Sequence, residues 1–203
     1  MSNIITLSEA NTENTITKVV SQINRLGSFI LAPTETVYGL MCLWQDQTAK
    51  DNIYKAKKRP ENKPFQMLVS NVSMVEEFGG IITPTIKSIM DSFCPGPITL
   101  IIPDKNGGKL GFRVPEHNFI LGLINKLKTP LAATSANVSG DAPALKIDSA
   151  LNSLHLEPNL IINGGELPSD SLASTVAMVV DDNITILREG IISLEDINLS
   201  ITQ

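Results

Sequence analysis

The sequence predicts an α/β fold in a single domain, with a twisted mixed β-sheet and flanking helices. Short apolar runs of strand type, such as 98–102 and 130–134, alternate with segments whose apolar residues follow helical spacing. Turn sequences at 106–108 and 182–183 join neighbouring strand segments, as is typical of antiparallel hairpins. Helices that alternate with strands, together with hairpins, indicate a mixed sheet.

Local signals predict the individual elements along the chain. Helices are expected over 15–26, 72–78, 83–93, 119–127 and 147–154, with a further helix from a cap at Asp46 to the basic residues near 57. Strands are expected over 28–32, 65–69, 98–102, 110–114, 130–134, 160–162, 174–180 and 184–187. Residues 1–13 show no clear pattern, 37–40 indicate a tight turn, and Ser193 caps a last short turn.

The composition is that of a globular protein with a local charge imbalance. An apolar content of 42% and a charged content of 18% exclude a disordered chain, and no repeat or linker divides residues 1–203. The net charge of −5 argues against a general nucleic-acid scaffold, which needs a broad basic face. A basic pocket on an acidic body suits a small anionic ligand better.

The cysteines and the hydropathy of the sequence indicate in which cellular compartment the protein is located. Cys42 and Cys94 are the two cysteines, and they stand among apolar neighbours without metal-like spacing. Buried thiols in a reducing compartment are the preferred interpretation, and a disulfide is the weaker alternative. The sequence starts without a basic region followed by an apolar run, and no segment reaches membrane length. A cytoplasmic protein without membrane contact is therefore expected.

One short stretch is strongly basic. Six cations against two acids give the window 50–63 a charge of +4; the cations are Lys50, Lys55, Lys57, Lys58, Arg59 and Lys63. Pro60 and Pro64 end the preceding helix and stiffen the exit. Such a cluster suits a polyphosphate, and a solvated helix end is the alternative.

Polar residues follow several predicted strands. Thr34 and Thr36 follow one strand, Ser135, Asn137 and Ser139 another, and Arg113 and Arg188 end two more. Ligand sites of open α/β sheets favour the carboxyl ends of strands, so together these groups predict one anion-binding cleft. Singly, the hydroxyls could cap turns and the arginines could form surface ion pairs.

Other site types lack support in the sequence. Neither a P-loop nor a G-x-G-x-x-G motif is present, so a phosphate would be bound by cationic side chains. His117 and His155 show no zinc-ligand spacing, and Ser135 lies outside any G-x-S-x-G motif.

Seven segments occur in the order of a known family. They are 33–40, 57–60 with Lys63-Pro64, 95–99, 113–117, 135–140, 174–176 and 188–190. In this ordered set the chain resembles the YrdC-like threonylcarbamoyl-AMP synthase family, over about residues 15–195. No single segment would be specific, but the ordered set is.

The resemblance implies a fold and a reaction. L-threonine, bicarbonate and ATP would give threonylcarbamoyl-AMP and pyrophosphate, with Mg²⁺ on the triphosphate, in a large concave basic cavity. The product would supply the modification of the adenosine beside the anticodon of tRNA. Partners would be downstream tRNA threonylcarbamoyl-transferase proteins, while weak tRNA binding stays open. The short, single-domain form of the family is expected.

The resemblance also implies site residues. It implies catalytic roles for Lys57 and Arg59. The residues expected at ATP are Arg59, Lys63, Ser135, Asn137, Pro143 through its backbone, and Arg188. The residues expected at threonine are Thr36, Arg113, Ala133 through its backbone, and Ser174. Lys58 replaces a frequent glycine, Leu68 replaces a histidine of some members, and no general base stands out.

Two other functions compete with this reading. A YrdC-like protein that binds nucleotide or RNA without chemistry would lack threonine-dependent turnover. A carbamoyl-transferring relative, similar to a domain of hydrogenase-maturation factors, would carry appended segments for which this chain has no room.

Overall fold

The computed structural model describes residues 3–60, 63–138 and 142–201, which form a ten-stranded mixed sheet flanked by helices. The strands are β1 (Ile4–Thr6), β2 (Ile30–Ala32), β3 (Gly39–Leu43), β4 (Gln66–Leu68), β5 (Ile98–Pro103), β6 (Lys109–Arg113), β7 (Leu131–Ser135), β8 (Leu160–Asn163), β9 (Thr175–Val180) and β10 (Asn183–Arg188). The helices are α1 (Thr12–Ile23), α2 (Gln47–Lys57), α3 (Val72–Glu77), α4 (Pro84–Phe93), α5 (Asn118–Leu127), α6 (Ile147–Asn152) and α7 (Leu194–Ile201), and a 3₁₀ turn spans Glu9–Asn11.

The strand order is β1-β8-β2-β3-β7-β4-β6-β5-β9-β10, and the pairing confirms the mixed sheet. Four pairs are parallel, namely β1–β8, β2–β8, β4–β6 and β5–β9, and the others are antiparallel. Both predicted hairpins, β5–β6 and β9–β10, are present. In the first hairpin, Asp104 Oδ1 accepts hydrogen bonds from the backbone N–H groups of Asn106 (2.7 Å) and Gly108 (3.0 Å).

Two strands escaped the sequence analysis. β1 lies in the region without a clear pattern, and three residues are too few to show a period. β3 begins inside the predicted tight turn and lies between β2 and β7, pairing with both. Its first four residues are buried, so hydrophobic alternation is absent, as in strands covered on both faces. The prediction of a turn over 37–40 was therefore wrong at Gly39 and Leu40.

Two apolar clusters form the core. The larger contains residues such as Ile23, Phe112 and Leu123, and the smaller contains Tyr38 and Ile53. Helix α2 packs its inner face into the smaller cluster, as its spacing predicted, so its C-terminal end lies against the sheet. The basic stretch is thereby brought to the carboxyl end of β7.

The two cysteines are free thiols, so the alternative of a disulfide is wrong. Cys42 is buried and Cys94 is partly buried, and burial raises the pKa of Cys42 to about 12 and of Cys94 to about 11. Among the described residues, no helix is both long and apolar enough to cross a membrane.

Candidate functional site

A cleft of about 690 Å³ lies along one face of the sheet. Side chains of a strand alternate between the two faces, so every second residue contributes to the floor. The floor residues on β5, β6 and β9 include Thr99, Ile101, Lys109, Gly111, Arg113, Val176 and Met178, and Leu110 of β6 also lines the cleft. Their common face follows from the register, in which Thr99 pairs with Val176 and Ile101 pairs with both Gly111 and Met178.

Most of the residues expected at the substrates line this single cleft. They are Thr36, Arg59, Arg113, Ala133, Ser135, Ser174 and Arg188. They come from loops and strands separated by up to about 150 positions, and the sheet brings them together. Their assignment to ATP or threonine stays a prediction.

Four of the expected residues are not among those that line the cleft. Lys57 is only 1% exposed, Asn137 is buried, Lys63 is exposed and Pro143 is partly buried. Asn137 Nδ2 donates to the carbonyl oxygen of Val138 (2.9 Å). The hydroxyl of Ser139 lies outside the described residues.

Lys57 lies behind the wall of the cleft. Its ammonium donates to Thr134 Oγ1 (2.9 Å) and to the carbonyl oxygen of Ser135, and both of these residues line the cleft. No carboxylate within the described part of the chain pairs with it. Burial, together with the charges of Arg59 and Lys63, lowers the pKa of Lys57 to about 7. Lys57 thus holds the end of β7 and contributes charge from behind it.

Lys58, where the family resemblance implies a glycine, ends helix α2 in a conformation that suits glycine. Lys58 has φ 46°, ψ 41°, the left-handed conformation that glycine adopts without steric cost. The turn is closed by bonds from the N–H of Lys58 to Lys55 O (3.3 Å) and from the N–H of Arg59 to Tyr54 O (3.0 Å). A side chain at this position costs roughly 1 kcal/mol but does not prevent the turn.

Arg59 links the basic stretch to the cleft. Its guanidinium donates to the carbonyl oxygens of Lys63 (3.2 Å) and Pro64 (2.9 Å) and lies 6.0 Å from the centre of the Phe65 ring. Burial lowers its pKa, although the group remains a cation at physiological pH. Because its partners are neutral, its charge is available to an anion.

Arg113 is 3% exposed and is held by three partners. It donates from Nε to Gly96 O (3.2 Å), from Nη1 to Thr36 Oγ1 (3.0 Å) and from Nη2 to Glu35 Oε1. Glu35 Oε1 also accepts from the N–H of Glu116 (3.0 Å). Since a guanidinium has five N–H bonds, two remain beyond these contacts within the described chain. Glu35 fixes the orientation of Arg113 and is a positioning residue.

The direction of the hydrogen bonds around Thr36 follows from the proton count. Thr34 Oγ1 donates its proton to Val37 O (2.8 Å), so Thr36 must donate in the bond that joins the two threonine hydroxyls (2.9 Å). Arg113 donates to Thr36, because a guanidinium has no acceptor. The Thr36 hydroxyl can therefore offer a ligand only a lone pair.

A second chain of hydrogen bonds starts at Arg188. Its Nη2 donates to Ser174 Oγ (3.0 Å) and to Ser174 O (2.8 Å), and Thr99 Oγ1 donates to Gln66 Oε1 (2.8 Å). Because the Thr99 proton is used there, Ser174 is the donor in the 2.8 Å bond between the two hydroxyls. Ser174, like Thr36, presents only a lone pair to a ligand.

Arg113 and Arg188 both line the cleft. Burial lowers the pKa of Arg188, and the positive charge of Arg113 lowers it further. A β-bulge places one extra residue, Leu187, in β10 between the pairs Ile186–Ala177 and Arg188–Val176. The irregularity thus lies directly before Arg188. Like charges in one cleft favour an anion between them.

Sequence reasoning missed several cleft residues. Glu35 lies inside a recognised segment, but its partner Arg113 is 78 positions away, so the local sequence does not show the pairing. Gln66 and Thr99 are polar residues inside strands that were predicted as apolar runs, and this break in the pattern was the available signal. Thr134 gave no signal, because its bond to Lys57 joins positions far apart in the sequence.

The described residues offer no prepared metal centre, since no group of three or more His, Cys, Asp or Glu side chains within them could hold a metal ion. Asp104 is the carboxylate among the cleft-lining residues, and its Oδ1 already accepts two backbone hydrogen bonds. The donor set therefore does not by itself fit Mg²⁺.

Comparison with known proteins gives the relationships of the chain. The family model Sua5_yciO_yrdC, described as "Telomere recombination", matches residues 22–190. Threonylcarbamoyl-AMP synthase of Bacillus subtilis is 33% identical over 85% of this chain and 53% of the relative, and that of Mus musculus is 32% identical over 82% and 64%. The solved structure of P. abyssi Sua5 complexed with L-threonine is 28% identical, with a TM-score of 0.86 over 99% of this chain and 61% of that one.

The chain thus spans about half to two thirds of the length of the curated relatives that it matches. E. coli YciO, at 21% identity and a TM-score of 0.80, shares the fold over 97% of this chain and 100% of its own. Because the family model covers most of the sequence, and the fold of this chain agrees with that of its solved neighbours, the chain belongs to the Sua5/YciO/YrdC family.

Proposed function

We propose that the chain is an L-threonylcarbamoyladenylate synthase, a nucleotidyltransferase that forms threonylcarbamoyl-AMP and pyrophosphate from L-threonine, bicarbonate and ATP. The observation that carries the proposal is that most of the residues expected at threonine and at ATP line one cleft. Relatives named for this activity, and a related structure complexed with L-threonine, support it.

The polarity of the cleft suits an amino acid at one end. The free N–H bonds of Arg113 would bind its carboxylate, since a guanidinium matches a carboxylate in shape and charge. The lone pairs of Thr36 and Ser174 would accept from the ammonium or the side-chain hydroxyl. The cleft thus offers donors for the carboxylate of the amino acid and acceptors for its ammonium and hydroxyl groups.

Several cations in and beside the cleft suit a triphosphate. Arg59, Lys63 and Arg188 would neutralise the phosphates and the charge that develops on the leaving pyrophosphate. Lys57 would act as a positioning residue, since it holds the carbonyl of Ser135 and the hydroxyl of Thr134. Ser135, Asn137 and the backbone near Pro143 would contact the nucleotide.

The reaction needs two bond-forming steps. The neutral amine of threonine attacks the carbon of bicarbonate, with loss of water, or of CO₂, with loss of a proton from the nitrogen to solvent, and either route gives a carbamate. A carbamate oxygen then attacks the α-phosphorus, and the bond to the β-phosphate oxygen breaks, releasing pyrophosphate. Positioning and charge neutralisation are the tasks of the protein in both steps.

Magnesium would arrive with the nucleotide. Mg²⁺ is commonly held by substrate phosphates, water and few carboxylates, in agreement with the absence of a carboxylate cluster from the described residues. The modified tRNA, a weak contact with tRNA, the downstream transferase partners and the cytoplasmic location remain predictions.

One assay tests the proposal. The protein is incubated with ATP, bicarbonate and Mg²⁺, with and without L-threonine, and pyrophosphate is measured. We expect release that depends on threonine and bicarbonate, and a product with the mass of threonylcarbamoyl-AMP. ATP binding without threonine-dependent release would contradict the proposal and favour a nucleotide-binding protein.

A further inference from the structure

Gln66 is a polar side chain in an apolar strand. It is the first residue of β4, lies between the buried Phe65 and Met67, and lines the cleft. β4 lies between β7 and β6, and Gln66 pairs in register with Ala133. The amide therefore lies in the wall at which threonine is expected, although none of the segments that carry the family resemblance includes it.

The orientation of the amide is fixed by its neighbours. Thr99 Oγ1 donates to Gln66 Oε1 (2.8 Å), and this bond holds the oxygen end of the amide towards β5. The acceptor end of the amide is thus occupied. Its Nε2 end makes no hydrogen bond to any of the described residues, and the side chain is partly exposed in the cleft.

The neighbouring hydroxyls cannot do what this nitrogen can do. Thr36 and Ser174 donate their only protons within the protein, so both present lone pairs to a ligand. They suit ammonium and hydroxyl groups but not the oxygens of a carboxyl group. Among the described residues, Arg113 and the Nη1 of Arg188 keep N–H bonds that could serve such oxygens, and the Nε2 of Gln66 is a further, neutral donor in the cleft.

We propose that Gln66 is a substrate-binding residue whose Nε2 donates a hydrogen bond to a carboxyl oxygen of the amino-acid substrate. This inference rests on the proposed function. The oxygen belongs to the carboxylate of threonine or to the carbamate formed from its amine, and both are anionic acceptors of the same kind. Arg113 and Gln66 would then hold the amino acid from two strands.

Three variants separate this role from a structural one. Gln66→Met has a similar length but neither donates nor accepts. Gln66→Glu keeps an acceptor for Thr99 but, when ionised, has no proton to donate. Thr99→Val removes the bond that orients the amide, together with the acceptor of the Ser174 proton, and leaves the Gln66 donor in place. Steady-state kinetics of pyrophosphate release gives KM for threonine, bicarbonate and ATP for each variant.

We expect Gln66→Met and Gln66→Glu to raise KM for threonine or bicarbonate at least tenfold and to change KM for ATP less than twofold. Thr99→Val should have a clearly smaller effect than Gln66→Met. Calorimetry with threonine in the absence of bicarbonate distinguishes the two oxygens. Binding that is weakened there identifies the carboxylate, and unchanged binding with a raised KM for bicarbonate identifies the carbamate.

Two results would overturn the inference. One is a Gln66→Glu enzyme with the wild-type KM for both substrates, because an acceptor for Thr99 would then suffice. The other is a Gln66→Met enzyme that matches Thr99→Val in every constant. Thermal unfolding shows whether each variant is folded. The wild-type assay is run first, since a lack of threonine-dependent release there refutes the proposed function rather than the role of Gln66.

Discussion

At the scale of single residues, the cleft depends on cations whose partners are mostly neutral. Lys57 and Arg188 bond to hydroxyl and carbonyl oxygens, whereas Arg113 has a carboxylate partner in Glu35. Neutral oxygens satisfy the hydrogen bonds of a buried cation but leave its charge uncancelled. These positions therefore lower the stability of the protein without an anion and increase its affinity for one.

Lys57 gives this cost a measurable pH dependence. Its pKa is about 7 in the folded protein against a usual value of 10.5, so between these values the unfolded chain binds more protons. The free energy of unfolding should rise with pH across that window, and the penalty is fully present below pH 7. In urea unfolding from pH 6 to 9.5, the wild type should gain stability relative to Lys57→Met.

The exposed Lys55 on the same helix provides the control for this prediction. Lys55→Met removes the same charge from a solvated position, so its unfolding curves should follow those of the wild type across the range. Parallel pH profiles for the wild type and Lys57→Met would show that burial does not perturb Lys57.

Residue identities in the cleft were more predictable than their contacts. Ordered motifs identified Thr36, Arg113 and Ser174, because each lies in a short recognisable segment. Glu35 and Gln66 were missed, because their roles depend on bonds to residues that are distant in the sequence. A burial pattern predicts which face a side chain takes, but not its partner on another strand.

At the scale of elements, helix α2 is the connection between core and cleft. Asp46 Oδ1 accepts from the N–H of Ala49 (2.9 Å), and its Oδ2 accepts from the N–H of Gly27 (2.8 Å). One carboxylate therefore caps the helix and ties it to the turn after α1. Gly27 has φ 77°, a conformation that suits glycine.

Asp46→Ala should lower the free energy of unfolding by about 0.5–2 kcal/mol, the usual cost of a lost N-cap. Asp46→Asn should lose less, because its amide oxygen can still cap while the bond to Gly27 is lost. Urea unfolding at one pH measures both. Asp51→Ala, at an exposed position of α2, is the control and should change stability little; an equal loss there would refute the special role of Asp46.

The elements that were predicted well have a clear hydrophobic period or a recognisable cap or turn sequence. Helix α4 begins at the expected Thr83 cap, whose Oγ1 accepts from the N–H of Ile86 (3.3 Å), and α2 buries the apolar face that its spacing indicated. β3 was missed because a strand buried on both faces has no alternation and follows a polar turn without a break. Tertiary pairing, not local sequence, makes it a strand.

At the scale of the whole molecule, the sheet joins cations from distant parts of an acidic chain. Arg59 follows α2, Arg113 ends β6 and Arg188 ends β10, yet all three line one cleft. The net charge of −5 limits general affinity for polyanions, whereas the local cations attract a small one. This charge distribution favours the binding of a small anion over that of a nucleic acid.

ATP should therefore stabilise the fold. A ligand at a hundred times its Kd raises the free energy of unfolding by about 2.7 kcal/mol, which thermal unfolding detects. AMP, which lacks the β- and γ-phosphates, should stabilise less. Arg59→Ala should remove most of the ATP effect; an unchanged shift in that variant would show that Arg59 is not at the phosphates.

Arg188 lies at the end of β10, a strand that can separate from the sheet locally. Within the described part of the chain, β10 pairs only with β9, so it forms one edge of the sheet. Edge strands open with a smaller free energy than central ones and exchange their amide protons sooner. When β10 opens, Ser174 loses its guanidinium partner and the cleft loses a cation, while the central strands stay paired. The cleft would thus pass through a binding-incompetent state without global unfolding, and a bound anion held by Arg188 would slow amide exchange in β10.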